Sequence, residues 1–215
     1  MTHLARRITV ALAAAAVLPL ALTACSDSDK KAADDSSSSA APAAPVTSAA
    51  TSEATMDQPF GPGCTAVPKN GAGSFDGMSK DPVATAASNN PALSTLVTAV
   101  KKAGLVDTLN NAQGITVFAP TNDAFAKLPK ATLDKVLADK AMLTKILTYH
   151  VVGQTVKAPD GLAHGTYTTL EKGTLTTSGS GESYKVNNTA NVVCGNVETA
   201  NATVQIIDTV LMPPQ

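Results

Sequence analysis

An apolar run closing at Leu22-Thr23-Ala24-Cys25 decides the compartment in which the rest of this chain folds. Arg6 and Arg7 precede an uncharged stretch from Ile8 to Leu22, and small residues follow at Thr23 and Ala24. A basic end, an apolar middle and a small-residue cut site are the layout of a secretory signal. The stretch is about 15 residues, short of the ~20 needed to span hydrocarbon, which favours a cleaved signal over a retained transmembrane helix. Both arginines lie in that signal. The remaining chain has 14 lysines against 17 acidic residues, a formal charge of −3, and no tryptophan. Such a chain lacks the phosphate-neutralising charge and the stacking platforms of a nucleic-acid binder, so no nucleic-acid partner is expected.

Leu22-Thr23-Ala24-Cys25 also resembles the bacterial lipobox, in which the cysteine receives a diacylglycerol and becomes the first residue of the mature protein. Lipidation of Cys25 is therefore expected, with the membrane as a partner through that lipid alone. An ordinary signal cut at Ala24 is the competing reading, and Arg6-Arg7 leaves a twin-arginine export route as a minor one. Two or more acyl chains anchor stably where one does not, each buried methylene contributing about 0.8 kcal/mol. With Cys25 taken by lipid, Cys64 and Cys194 remain, and an isolated pair in an oxidising compartment reads as a disulfide. It would close a 130-residue loop, worth at most about 5 kcal/mol in the chain-entropy picture. Two separate buried thiols are the alternative. No metal or cofactor is expected, because the mature chain offers only His150 and His164 and no paired-cysteine spacing.

Residues 1–24 thus read as signal and 25–63 as lipidated cysteine plus linker, with 64–215 as one domain. Ser26 to about Ser52 is Ser, Ala, Pro and Thr with little to bury, a composition that stays disordered. A flexible linker of roughly 38 residues has a mean span of about 35 Å. Asn187-Asn188-Thr189 and Asn201-Ala202-Thr203 match the N-glycosylation pattern, and both read as accidental here.

The domain changes period halfway. Asp81-Pro82 and Asn90-Pro91 each pair a capping residue with proline at a first helical position. Leu93, Leu96, Val97 and Val100 form an apolar stripe that ends at Gly104. Ile115 to Phe118 reads as a strand between Gly114 and Pro120. Helices are expected over Asn122–Leu128, around Leu133, Val136 and Leu137, and around Met142, Leu143, Ile146 and Leu147. After Val152 come threonine-rich strands with a turn at Lys172-Gly173, a flexible turn over Ser178–Gly181, and short strands to Leu211. Helices first and strands after make an α+β domain with a β core and flanking helices.

Three blocks carry a family resemblance. Thr116-Val117-Phe118-Ala119-Pro120-Thr121-Asn122-Asp123-Ala124-Phe125 resembles the first signature block of the fasciclin domain, and Tyr149-His150 falls where that family has its Tyr-His pair. Val204 to Pro213, including Asp208, is similar to its closing block. The lipobox, the stalk and the two outlying cysteines further resemble actinobacterial surface and secreted immunogenic members. The resemblance implies a single β-sandwich wedge flanked by helices on one side, and a biology of adhesion or extracellular interaction.

Most of the signature also has a structural reading. Phe118 and Phe125 suit the core, Pro120 ends a strand, and Thr121 or Asn122 caps the following helix with Asp123 near its dipole. Asp208 suits a hydrogen-bonding position at a strand edge. His150 could act as a general base beside Asp123 or Asp208, yet no serine lies in a Gly-x-Ser-x-Gly elbow and no phosphate-binding glycine loop is present. His150 therefore reads as a buried hydrogen-bonding residue, Tyr149 as packing inward, and the chain as no enzyme. The expected function is a lipid-anchored protein on the outer face of the bacterial membrane, partly shed. Its domain would bind matrix, a host receptor or an envelope component. The alternative is an envelope carrier holding a small apolar or lipid ligand between helices and sheet.

Overall fold

The computed structural model describes residues 58–214, so the signal, the lipidation of Cys25 and the Ser/Ala/Pro stretch lie outside the described residues. The helical half contains α1 (Phe75–Met78), α2 (Val83–Ser88), α3 (Ser94–Ala103) and α4 (Val106–Asn111). After β1 (Ile115–Pro120) come α5 (Asn122–Ala126), α6 (Lys130–Ala138) and α7 (Lys140–Tyr149). The strand half has β2 (Val151–Val152), α8 (Asp160–Ala163), β3 (His164–Thr168), β4 (Thr174–Ser180), β5 (Ser183–Val186), β6 (Ala190–Glu198) and β7 (Ala202–Ile207). The strands form one sheet in the order β2-β1-β7-β6-β5-β4-β3. Only β1 and β7 run parallel, with Ile115 opposite Ala202 and Pro120 opposite Ile207. A bridge between Val152 and Thr169 ties one edge of the sheet to the segment just past the other, which curls the sheet on itself. Among the described residues no helix is long and apolar enough to cross a membrane.

Both parallel strands are buried along their whole length. They are covered on each face, so burial does not alternate along them, and their polar residues Thr116, Thr203 and Gln205 are buried as well. On the outer face lies an aliphatic core built with the helices, including Leu96, Val100, Leu109, Leu143, Ile146 and Leu147. The curled inner face holds a second core with Phe118, Tyr149, Leu162, Leu175, Tyr184 and Ile207. The antiparallel strands of that half show the expected alternation, β5 for example being exposed, buried, exposed, buried.

Helix starts follow the sequence only in part. Asn90 caps as expected, its side chain accepting from Ala92 N–H at 3.0 Å, and Gly104 ends α3 in the left-handed region at φ 73°. Asp81-Pro82 does not cap α2. Pro82 precedes the helix, and its first N–H groups are met from far away, Val83 by Asn201 Oδ1 at 2.8 Å and Ala84 by Asn110 Oδ1 at 2.9 Å. Asp81 instead accepts from Asn89 Nδ2. The flexible turn expected over Ser178–Gly181 is mostly strand, because β4 continues to Ser180 in register with Ser183. Gly179 is required there: at φ 144° a Cβ would sit 2.2 Å from the Ser183 carbonyl oxygen. Met142, expected on the apolar face of α7, is 45% exposed in its first turn, while Leu143, Ile146 and Leu147 are buried.

The N-terminal end of the described chain is stitched to β6. Phe60 bridges Gly195 through paired backbone hydrogen bonds of 3.2 and 2.8 Å, and its ring meets Tyr184 edge-on at 5.4 Å. Four residues later Cys64 is disulfide-bonded to Cys194 with their Cα atoms 4.8 Å apart. Gly195 has to be glycine, since a Cβ would stand 2.2 Å from the Phe60 ring.

Candidate functional site

The signature residues converge on one joint, where β1 and β7 end and α7 turns into β2. Pro120 is the last residue of β1, and the next N–H, from Thr121, donates to Ile207 O at the end of β7. Thr121 is the residue that caps α5, its hydroxyl accepting from Ala124 N–H at 3.2 Å. Asn122 does something sequence reasoning missed. Its Oδ1 accepts from Thr95 N–H at 2.9 Å and from Ser94 Oγ, while its Nδ2 donates to Pro91 O at 2.9 Å. It thereby caps α3, a neighbouring helix, and fixes the angle between α3 and the β1–α5 corner. Phe118 is fully buried and Phe125 nearly so, whereas Asp123 is exposed.

His150 closes the other side of the joint. It is 2% exposed. Its Nε2 accepts from Leu211 N–H at 2.9 Å, so Nδ1 carries the proton and donates to Ile146 O at 2.8 Å. Burial lowers its pKa to about 4 despite the Ile146 carbonyl, which favours the charged ring. Both nitrogens are thus spent on backbone, and the ring is neutral at pH 7. Its own carbonyl accepts from Phe118 N–H. Tyr149 points the opposite way into the inner core, donating to Thr174 O at 2.7 Å and accepting from Asn187 Nδ2 at 2.9 Å. It packs inward, as its position after Ile146 and Leu147 suggests.

Asp208 follows β7 directly and joins three elements. Its carboxylate accepts from Asn191 N–H and Nδ2 at 2.9 and 3.0 Å, from Thr209 Oγ1 at 3.0 Å and from Lys127 Nζ at 3.2 Å. Partial burial would raise its pKa, but these donors outweigh it and hold the carboxyl at about 2. Asp208, Asp123 and His150 form no relay: one is saturated by donors, one is exposed, one is locked to backbone. His164 is exposed at the start of β3. Among the described residues no group of three or more His, Cys, Asp or Glu is placed to hold a metal ion.

Sequence reasoning also missed a buried amide network. Asn196, at φ 54° in an irregular stretch of β6, donates its N–H to Gln205 Oε1 and brackets Ala158 through side-chain bonds to both its N–H and its carbonyl. Gln205 Nε2 reaches Val156 O at 2.8 Å. Asn201 caps α2 with one side-chain atom and donates to Leu109 and Ala112 carbonyls with the other. The one available signal was amides inside otherwise apolar runs. Both asparagines of the glycosylation patterns are held by bonds within the fold. Asn201 is 7% exposed, and the Asn187 amide is held by Tyr149.

Between the helices and the outer face of β1 and β7 lies an apolar cavity of about 50 Å³. Val117 and Val204 form its floor, and Leu96, Val100, Leu109 and Leu147 its walls. Leu170 and Thr148 stand at its rim.

Comparison with known proteins accords with this architecture. Residues 91–213 match the model of the fasciclin domain. The cell surface glycolipoprotein MPB83 of Mycobacterium bovis is 51% identical over 180 residues, covering 80% of each chain. The immunogenic protein MPB70 of the same species is 54% identical over 163 residues, covering 72% of this chain and 82% of the relative. Protein sll1483 of Synechocystis is 42% identical over 130 residues, 60% of this chain and 71% of its own. With more than half its length under that family model, the joint built from its signature residues, and relatives above 50% identity, this chain belongs to the fasciclin domain family.

Proposed function

We propose that this is a lipid-anchored surface protein whose fasciclin domain, residues 64–215, binds a macromolecular partner outside the cytoplasm, as in adhesion or protein and polysaccharide interaction. On this reading residues 1–24 are a cleaved signal, Cys25 carries the lipid, residues 25–63 are the stalk, and part of the protein is shed. The observation carrying it is 51% identity to a cell surface glycolipoprotein across four-fifths of both chains. The joint geometry supports a binding role over catalysis, because His150 and Asp208 are both committed to holding the fold together. Fold alone does not fix function. The test is capture of matrix proteins, host receptor ectodomains and envelope polysaccharide by the immobilised full chain. Saturable retention of one class is expected, and retention of none removes the reading. Intact-mass measurement of the native protein tests the anchor: a mass starting at an acylated Cys25 is expected.

A second reading is favoured by one observation, the apolar cavity between helices and sheet. It makes the domain an envelope carrier for a small apolar ligand, and native mass spectrometry should then find unexplained mass retained on the protein as isolated.

A further inference from the structure

The lining of the helix-side cavity selects a class of molecule. Its walls and floor are aliphatic carbon from Leu96, Val100, Leu109, Val117, Leu147 and Val204, with Phe118 and the imidazole of His150 its only aromatic rings. A flat ring system finds almost no stacking surface there. Polar side chains are few: Thr108 is exposed, and the others have their donors spent. Ser88 Oγ donates to Ala84 O, Thr148 Oγ1 to Thr144 O, and both His150 nitrogens are bonded to backbone. Nothing inside asks for a polar group on the ligand, and apolar cavities of this kind stay dry while admitting hydrocarbon. The space is also small. At about 50 Å³ it has room for a short length of hydrocarbon, and an apolar ligand that is small in cross-section fits it best.

The rim supplies the second observation. Leu170 is 43% exposed although it lines the cavity, one of three large apolar side chains left so open among the described residues. It is held in place, its N–H donating to Val151 O at 2.8 Å, while the adjoining Glu171 pairs with Lys145 of α7 at 3.6 Å. A fixed apolar rim over a dry aliphatic slot is an entry for a chain end.

We propose that this cavity binds the methyl end of an unbranched acyl chain, which enters past Leu170 and leaves its polar head outside. The proposal rests on the carrier reading above and narrows it to one ligand chemistry. The chain end has two sources, free fatty acid or membrane lipid, and the test separates them.

Methyl-labelled full chain is titrated with lauric acid, with lauroyl-lysophosphatidylglycerol and with phospholipid vesicles, following the valine and leucine methyl resonances. Saturable shifts confined to Leu96, Val100, Leu109 and Leu147 are expected. Lauric acid alone shifting them points to free fatty acid, and vesicles shifting them point to membrane lipid. Val100→Phe, which fills the slot, and Leu170→Glu, which charges an exposed rim and leaves the core intact, should each weaken binding at least tenfold. Unmoved methyls, unchanged affinity in a folded Leu170→Glu, or equal affinity for 2-naphthoic acid would overturn the proposal. Native mass spectrometry separates the two failures. Retained mass without laurate at these methyls leaves the carrier reading standing and sinks the acyl site. Laurate bound without retained mass does the reverse.

Discussion

The two cores on either side of β1 and β7 are built to different rules. Inside the curl of the sheet, Phe60, Phe118, Tyr149 and Tyr184 bring rings, and the Tyr149 hydroxyl satisfies both a carbonyl and an amide. Large rigid side chains with fixed hydrogen bonds specify one packing. Under the helices the core is mainly aliphatic, with Phe125 as its buried ring, spread over short helices of 4 to 10 residues, and it leaves a cavity. Its order comes from amides reaching across from elsewhere, Asn201 and Asn110 onto α2 and Asn122 onto α3. The inner core is ordered by its rings. The other is held at its edges with slack in its middle, which places any ligand-dependent change on the helical side.

The disulfide breaks the comparison most broadly. Cys64 and Cys194 belong to the helix-side core, yet they also pin Phe60 against Tyr184 in the inner one. Reduction, or Cys64→Ser with Cys194→Ser, should cost as much as about 5 kcal/mol given the 130-residue separation. Chemical denaturation with and without reductant measures it, and a loss well under 1 kcal/mol would show that the Phe60 bridge suffices without the disulfide. Truncation sharpens the contrast. Leu175→Ala, at a fully buried inner position, should cost about 3–4 kcal/mol because closed surroundings cannot collapse. Val106→Ala, half-buried at the cavity, should cost about 1 kcal/mol. Equal losses in urea melts would erase the distinction between the cores.

Much of this was legible in the sequence, and the limits have a physical pattern. The β1 strand, α5 and α7 and the Tyr149-His150 joint follow from local signals: β-branched runs, proline stops, leucines at helical spacing. What failed was non-local. Asp81-Pro82 looks like a cap, but Asn201, 118 residues away, reaches Val83 N–H instead, and no window along the chain can see that. Asn122 looked like a cap for its own helix and serves α3. The split into two cores was hidden because β1 and β7 are buried on both faces, and their polar residues Thr116 and Gln205 bond to buried backbone where a polar position ordinarily means solvent.

His150 links both cores, and its titration gives the next largest effect. The ring in the unfolded chain protonates near 6.5, while in the fold it resists to about 4. A lowered folded pKa means stability is intact above 6.5 and falls as pH drops toward 4, by about 3 kcal/mol. Asp208 adds a separate loss only below its ordinary 3.8, as pH falls toward about 2. Urea unfolding from pH 7 to 4.5 should show this slope, and His150→Gln, less stable at pH 7, should lack most of it. A native chain equally stable at pH 7 and 4.5 would mean the ring opens to solvent with little cost.

The last pair of substitutions is expected to act with opposite signs. Ala84→Val adds two methylene-sized groups at the cavity wall, and Ala190→Val adds the same groups to a fully buried inner position on β6. At Ala84, burying them contributes about 1.6 kcal/mol, offset by about 0.6 kcal/mol of lost helix propensity, so a gain of up to about 1 kcal/mol is expected. At Ala190, which is 0% exposed, valine suits a strand but the added bulk goes into a buried position, and overpacking should cost about 1–3 kcal/mol. Thermal melts of the two variants settle the sign. If both lose stability, the helix-side cavity is a shape the surrounding side chains defend, and the slack assigned to that core is absent. If Ala84→Val gains stability, the void is space the native fold leaves open at a cost, which is what a site reserved for an exchangeable hydrocarbon requires.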